Sequence, residues 1–167
     1  MYPRVVVDMK KLKHNMDAIT AMCHQQGLSV ALVTKCVCAA EPIVELINST
    51  QADFIADSRL LNLKRIKTDK PKYLLRIAQP CEAEEVIEYC DISQQSELMT
   101  IRLLAEQAEL QDKPHKIVLM VDLGDLREGV FYKNRDELKT LALAVKDAKM
   151  LELFGIGVNL TCFGGII

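Results

Sequence analysis

The chain has 167 residues, half of them apolar, with 21 basic and 23 acidic side chains and a formal net charge of −2. An apolar half with 26% charged residues excludes a disordered chain, and seven Gly with five Pro exclude a collagen-like or linker-like one. So balanced a charge offers no general field to nucleic acid or an anionic membrane, and Lys10, Lys11 and Lys13 read as a solvated helix face. Residues 4–7 form a short extended arm. Residues 9–26 read as an amphipathic helix with Leu12, Met16, Ile19 and Met22 on one face, capped by Asp8 and stopped by Gly27. The apolar run at 29–33 suits a buried parallel strand, and helical spacing returns at 41–49 with Ile43, Leu46 and Ile47. A short strand at 53–56 leads to a helix at 59–66, and a strand at 72–77 to a helix at 82–88 with Val86 and Ile87 inward. A brief strand at 91–93 precedes a helix at 96–110, and KIVLMV at 116–121 is the clearest strand. A helix at 136–149 and a strand at 151–158 follow.

Six β segments alternating with helices predict an α/β fold with a parallel sheet, either doubly wound or a (β/α)8 barrel. In both, chemistry gathers at the carboxyl ends of the strands. Lys35, Asp57-Ser58, Arg76, Ser93, Asp122 with Arg127, and Asn159 stand there. Each alone is an ordinary turn or cap residue, as Asp57-Ser58 is before the helix at 59–66. As a set they have the content of a ligand mouth. Lys35 follows VALVT and precedes Cys36, Val37, Cys38 and Ala39, a setting expected to desolvate its ammonium, lower its pKa and make it a Schiff-base nucleophile.

Other motifs fail. Gly155-Ile156-Gly157 has Leu160 where a dinucleotide fingerprint needs its third glycine, and no phosphate-binding GxxxxGK[ST] occurs. Cys36-x-Cys38 lacks a partner motif, and His14, His24 and His115 are scattered, so no metal site is expected. The cysteines at 23, 36, 38, 81, 90 and 162 come with no signal peptide and no membrane-length apolar run. Several lie in apolar segments, so buried, reduced thiols and a cytoplasmic location are expected.

PRVVVDMKKLKHN, SVALVTKCVCA, ADFIADSRLLNLKR, KIVLMVDLGDLREGV and LFGIGVNLTCFGG, in this order from Pro3 to Gly165, resemble the N-terminal barrel of the alanine racemase family. The likeness is nearest to its ornithine racemase-like branch. It implies a pyridoxal 5′-phosphate enzyme, a (β/α)8 barrel with a C-terminal β domain, and a homodimer acting on a small amino acid. By the same resemblance Lys35 looks like the lysine that carries the cofactor as an internal aldimine and serves as one racemisation base. Arg127 is similar to the arginine at the cofactor's phenolic oxygen. Asn159 stands where many members have a histidine, which makes hydrogen bonding the expected role in place of stacking. Ser58 and Arg76, at matching strand ends, are expected to contact substrate or cofactor. After Lys35 the family's Ala-Asn-Ala-Tyr run is Cys36-Val37-Cys38-Ala39, a departure that argues against alanine as the substrate.

Against that pattern, residues 1–167 are expected to be an incomplete barrel of about six βα units without the β domain, binding the cofactor weakly and racemising poorly alone. A non-catalytic carrier of pyridoxal phosphate and an inactive fragment are the competing readings.

Overall fold

The computed structural model describes residues 3–160. The Lys10 and Lys11 amides donate to Asp8 Oδ1 at 3.0 and 3.1 Å, so the expected cap opens α1 (Met9–Gln25). Gly27, at φ +71°, ends the turn beyond α1 in the left-handed conformation that suits glycine. The expected apolar face is only half covered. Leu12 and Met16 pack on the core, whereas Ile19 and Met22 stay exposed, because α1 meets chiefly α2 (Glu41–Asn48) and reaches no further over the sheet. Residues 4–7 form no strand; Val5 and Val6 are exposed, and the extended arm pairs with nothing among the described residues.

The remaining elements are β1 (Ala31–Val33), β2 (Phe54–Asp57), α3 (Leu60–Arg65), β3 (Lys72–Ile77), α4 (Ala83–Tyr89), β4 (Ile92–Gln95), α5 (Leu98–Leu110), β5 (His115–Asp122), β6 (Val130–Phe131), α6 (Arg135–Asp147) and β7 (Leu151–Val158). All strand pairs are parallel; β1 to β5 lie side by side in chain order, and β7 runs along β5 from His115↔Leu151 to Val121↔Val158. Seven strands thus replace the six expected. The addition is β6, whose Val130 pairs with Val121, a residue that also pairs with Val158. A strand residue has one neighbour on each side, so β6 lies on β4's side, beyond Gln95 where β4 ends.

Alternate strand residues point to opposite faces. On the outer face Ile55, Leu74, Ile117 and Leu119 meet helix residues such as Leu63, Val86, Ile87, Ile101, Leu104 and Leu141 in the main core. On the inner face Ile92, Val118 and Met120 gather Phe54, Tyr73 and Ile77. Phe54 of β2 also meets Phe154 of β7 edge to face, with ring centroids 6.1 Å apart. Three strands lie between those two, and in a flat sheet they would stand about 19 Å apart. The sheet is therefore rolled into a barrel arc. Gly157 serves this inner face: a Cβ there would sit 2.6 Å from Met120 Sδ and 2.8 Å from Val118 Cγ1.

The thiols differ from expectation. Cys90 alone is buried among the described cysteines; Cys23 is half-buried, and Cys36, Cys38 and Cys81 are exposed in turns and loops. Cys162 lies outside the described residues.

Candidate active site at the carboxyl ends of the strands

Parallel strands put Lys35, Ser58, Arg76, Arg127 and Asn159 on one rim. At the end of β1 the chain enters a tight 3-10 turn, Lys35–Val37, followed by Cys38 and Ala39 at φ 50° and 53°. Lys35 is exposed, which corrects the expected desolvation. Among the described strands β1 has β2 on one side only, and the small residues expected to wall in the ammonium face solvent at Cys36 and Cys38. Ser58, half-buried, follows the fully buried Asp57. Asp57 does not cap α3, whose N-cap is Arg59 without a side-chain cap bond. It accepts from the Arg59 amide at 2.8 Å and the Asn62 side chain at 3.1 Å, and across the sheet from the Thr34 hydroxyl at 2.6 Å.

Two strand-end residues turn away from the mouth. Arg76 lies in the irregular stretch between Leu74 and Ile77; its Nε donates to the Ile77 carbonyl at 3.3 Å and its Nη2 lies 3.6 Å from Glu82. Ser93 is buried towards the helices, its Oγ 2.8 Å from His115 Nε2 and 3.1 Å from the Gln95 amide nitrogen.

The densest polar group surrounds the loop from Asp122 to Gly129. Asp122 Oδ1 accepts from the Gly124 amide at 2.7 Å and the Leu126 amide at 3.2 Å. The Gly124 contact, helped by Leu126 and opposed by burial, holds the Asp122 carboxyl below its ordinary range. Gly129, at φ +113°, lets the loop return against β5; a Cβ there would sit 2.7 Å from the Asp122 nitrogen. Glu128 follows Arg127, with Oε2 3.4 Å from Arg127 Nε, and its Oε1 accepts from Asn159 Nδ2 at 2.6 Å. One carboxylate therefore joins Arg127 to Asn159 at the end of β7. Arg127 and Glu128 also line a cavity of about 360 Å³ beside Gln79, Ser96 and Glu97. Among the described residues, no hydrogen bond or ion pair links Lys35, Ser58 or Arg76 to the Arg127 group.

Sequence reading missed Glu128 and the reach of Asp57 to Thr34. Glu128 was in plain view in Asp-Leu-Arg-Glu-Gly, but its partner lies 31 positions away, and only the fold joins them.

A rolled parallel sheet with helices outside defines a barrel domain, with an amine and a guanidinium on the carboxyl rim where such folds gather their chemistry. The chain belongs to the family described as alanine racemase, N-terminal domain, whose model matches residues 7–164. It is 44% identical over 168 residues to ornithine racemase of Acetoanaerobium sticklandii, covering 100% of this chain and 47% of that protein. It is 27% identical over 170 residues to lysine racemase of Thermotoga maritima, covering 100% of this chain and 46% of that one. Alanine racemase from Streptomyces coelicolor A3(2) superimposes with a TM-score of 0.80 at 16% identity, over 93% of this chain and 43% of that structure. That likeness bears on the fold, and of the two architectures expected it selects the barrel. The chain spans about half the length of the curated relatives it matches. Among the described residues no helix is long and apolar enough to cross a membrane.

Proposed function

We propose that this chain is the cofactor-binding part of a pyridoxal 5′-phosphate-dependent amino-acid racemase that interconverts the enantiomers of ornithine or a similar basic amino acid. The observation that carries this reading is 44% identity to an ornithine racemase along the whole chain, with Lys35 open on the carboxyl rim. The donor set fits the cofactor. Lys35 offers an accessible primary amine to an aldehyde, and Arg127, paired through Nε with Glu128, keeps its Nη nitrogens for an anionic oxygen.

When bound, the cofactor supplies a sink for the electrons of the substrate's Cα–H bond. Lys35 Nζ would hold it, and the same amine, when free, would take the Cα proton from one face. Arg127 would hold the cofactor's phenolic oxygen. Asn159 fixes Glu128, and through it the guanidinium. Ser58 completes the rim at β2, whereas Arg76, drawn towards Glu82, stands aside from it. In the whole protein, working as a cytoplasmic homodimer, the opposite-face base and the rest of the barrel come from outside residues 1–167.

Incubation with pyridoxal phosphate, borohydride reduction and mass mapping tests the binding step. The expected result is an adduct on Lys35 that Lys35→Ala removes; no adduct on Lys35 overturns the reading. Optical rotation of L- and D-ornithine solutions incubated with the protein separates a racemase from a carrier of the cofactor.

A further inference from the structure

We infer that Asp57, acting through Thr34, is the positioning residue for Lys35, an inference that rests on the reading of Lys35 as the cofactor lysine. Thr34 is fully buried between the end of β1 and the Lys35 turn; its carbonyl bonds the turn, and its amide and hydroxyl bond the end of β2. Its amide donates to the Ala56 carbonyl at 2.9 Å, and its carbonyl accepts from the Val37 amide at 3.0 Å and the Ala39 amide at 3.3 Å. Its hydroxyl donates to Asp57 Oδ2 at 2.6 Å, with the Ala56 carbonyl a longer second acceptor at 3.3 Å.

The turn itself is conformationally expensive. Cys38 and Ala39 occupy the left-handed region in succession, at φ 50° and 53°, and neither is glycine. Such a backbone persists where its surroundings over-determine it, and it tends to gather at functional sites. The surroundings here end in a carboxylate that is 0% exposed. A carboxylate so deeply buried is costly unless its oxygens are hydrogen-bonded, and Asp57 is bonded by three residues from two sides. The bond from the Arg59 amide serves only the local turn before α3. The reach to Thr34 ties the β2 end to the β1 end, so the Lys35 backbone is held while its side chain stays open to solvent.

Thr34→Val removes the cross-strand hydroxyl and leaves the bonds from Arg59 and Asn62 to Asp57 in place. Two readouts are compared with wild type: the borohydride-trapped pyridoxyl adduct on Lys35 relative to Lys10, and the amide hydrogen exchange of Val37 and Ala39. The expected result is a Lys35-to-Lys10 ratio lower by about tenfold, with faster exchange at both amides. Thr34→Ser, which keeps the hydroxyl, restores both. Thr34→Ala gives the same loss without placing a methyl beside the carboxylate, should the valine protein not fold. Unchanged ratio and exchange in a folded hydroxyl-less variant, or a serine variant as impaired as the valine one, overturns the inference. Absence of any adduct on wild-type Lys35 instead removes the proposed function, and the exchange rates alone then decide whether Asp57 holds the turn.

Discussion

His115 opens β5 with its ring buried, and that burial pushes its pKa down from 6.5 to about 4. Between those two values the unfolded chain binds a proton that the folded chain refuses, so stability rises with pH across the window and falls on acidification. The loss from pH 6.5 down to 4 is on the order of 3 kcal/mol. Asp53 and Asp122 have carboxyls held below their ordinary range, so their contributions stay intact down to the unfolded value of 3.8 and are lost only below it. Urea unfolding at pH 7, 5.5 and 4.5 should therefore show a slope that His115→Gln flattens, whatever the variant's stability at pH 7. An equal slope in the variant would assign the acid sensitivity elsewhere. Thiol chemistry divides along the same line of burial. The Cys90 thiol is raised to about 12, chiefly by desolvation, whereas Cys36, Cys38 and Cys81 are exposed. Iodoacetamide at pH 8 should alkylate those three in the native protein and reach Cys90 only in denaturant. Labelling of Cys90 as fast as Cys81 would contradict the burial.

At the scale of elements, lysines close helix ends. Lys113 Nζ donates to the carbonyls of Ile87, Glu88 and Cys90 at 2.6, 2.9 and 3.3 Å, where α4 stops, and Lys72 Nζ reaches the Leu63 carbonyl of α3 at 3.0 Å. An ammonium there satisfies orphan acceptors and opposes the negative end of the helix dipole. Lys113→Met should cost about 1–2 kcal/mol in chemical denaturation, and Lys10→Met, at the start of α1, close to nothing. The strand at 116–121 was legible as a continuous apolar run, because a strand covered on both faces needs no alternation. Val130–Phe131 carried no such signal; two residues have no period, and only the free length of β5 makes them a strand. The site divides in the same way. Lys35, Arg127 and Asn159 were legible from their places after strands. The exposure of Lys35 was not, because it depends on which strands flank β1. Arg76 and Ser93 were placed in the mouth by counting along the chain, but Glu82 draws Arg76 aside and Ser93 turns to the buried His115.

Across the whole molecule, the arc has two borders. β1 pairs with β2 alone and β7 with β5 alone among the described strands, and β7 displays Leu153, Phe154, Ile156 and Val158 to solvent. Exposed apolar borders of this kind template pairing with other chains. The 167-residue protein should therefore associate with rising concentration in sedimentation velocity runs, and Ile156→Lys should suppress that association. Concentration-independent monomers of the wild type would show that these borders are already satisfied.

The sequence of neighbours in the sheet carries a further consequence, for synthesis. From β1 to β5 each strand lies beside its predecessor, and β7 docks on β5. A chain leaving the ribosome from its amino end can thus lay each βα unit against one already formed. Closure distances stay short and the growing end is always the acceptor of the next strand, which favours folding in step with translation.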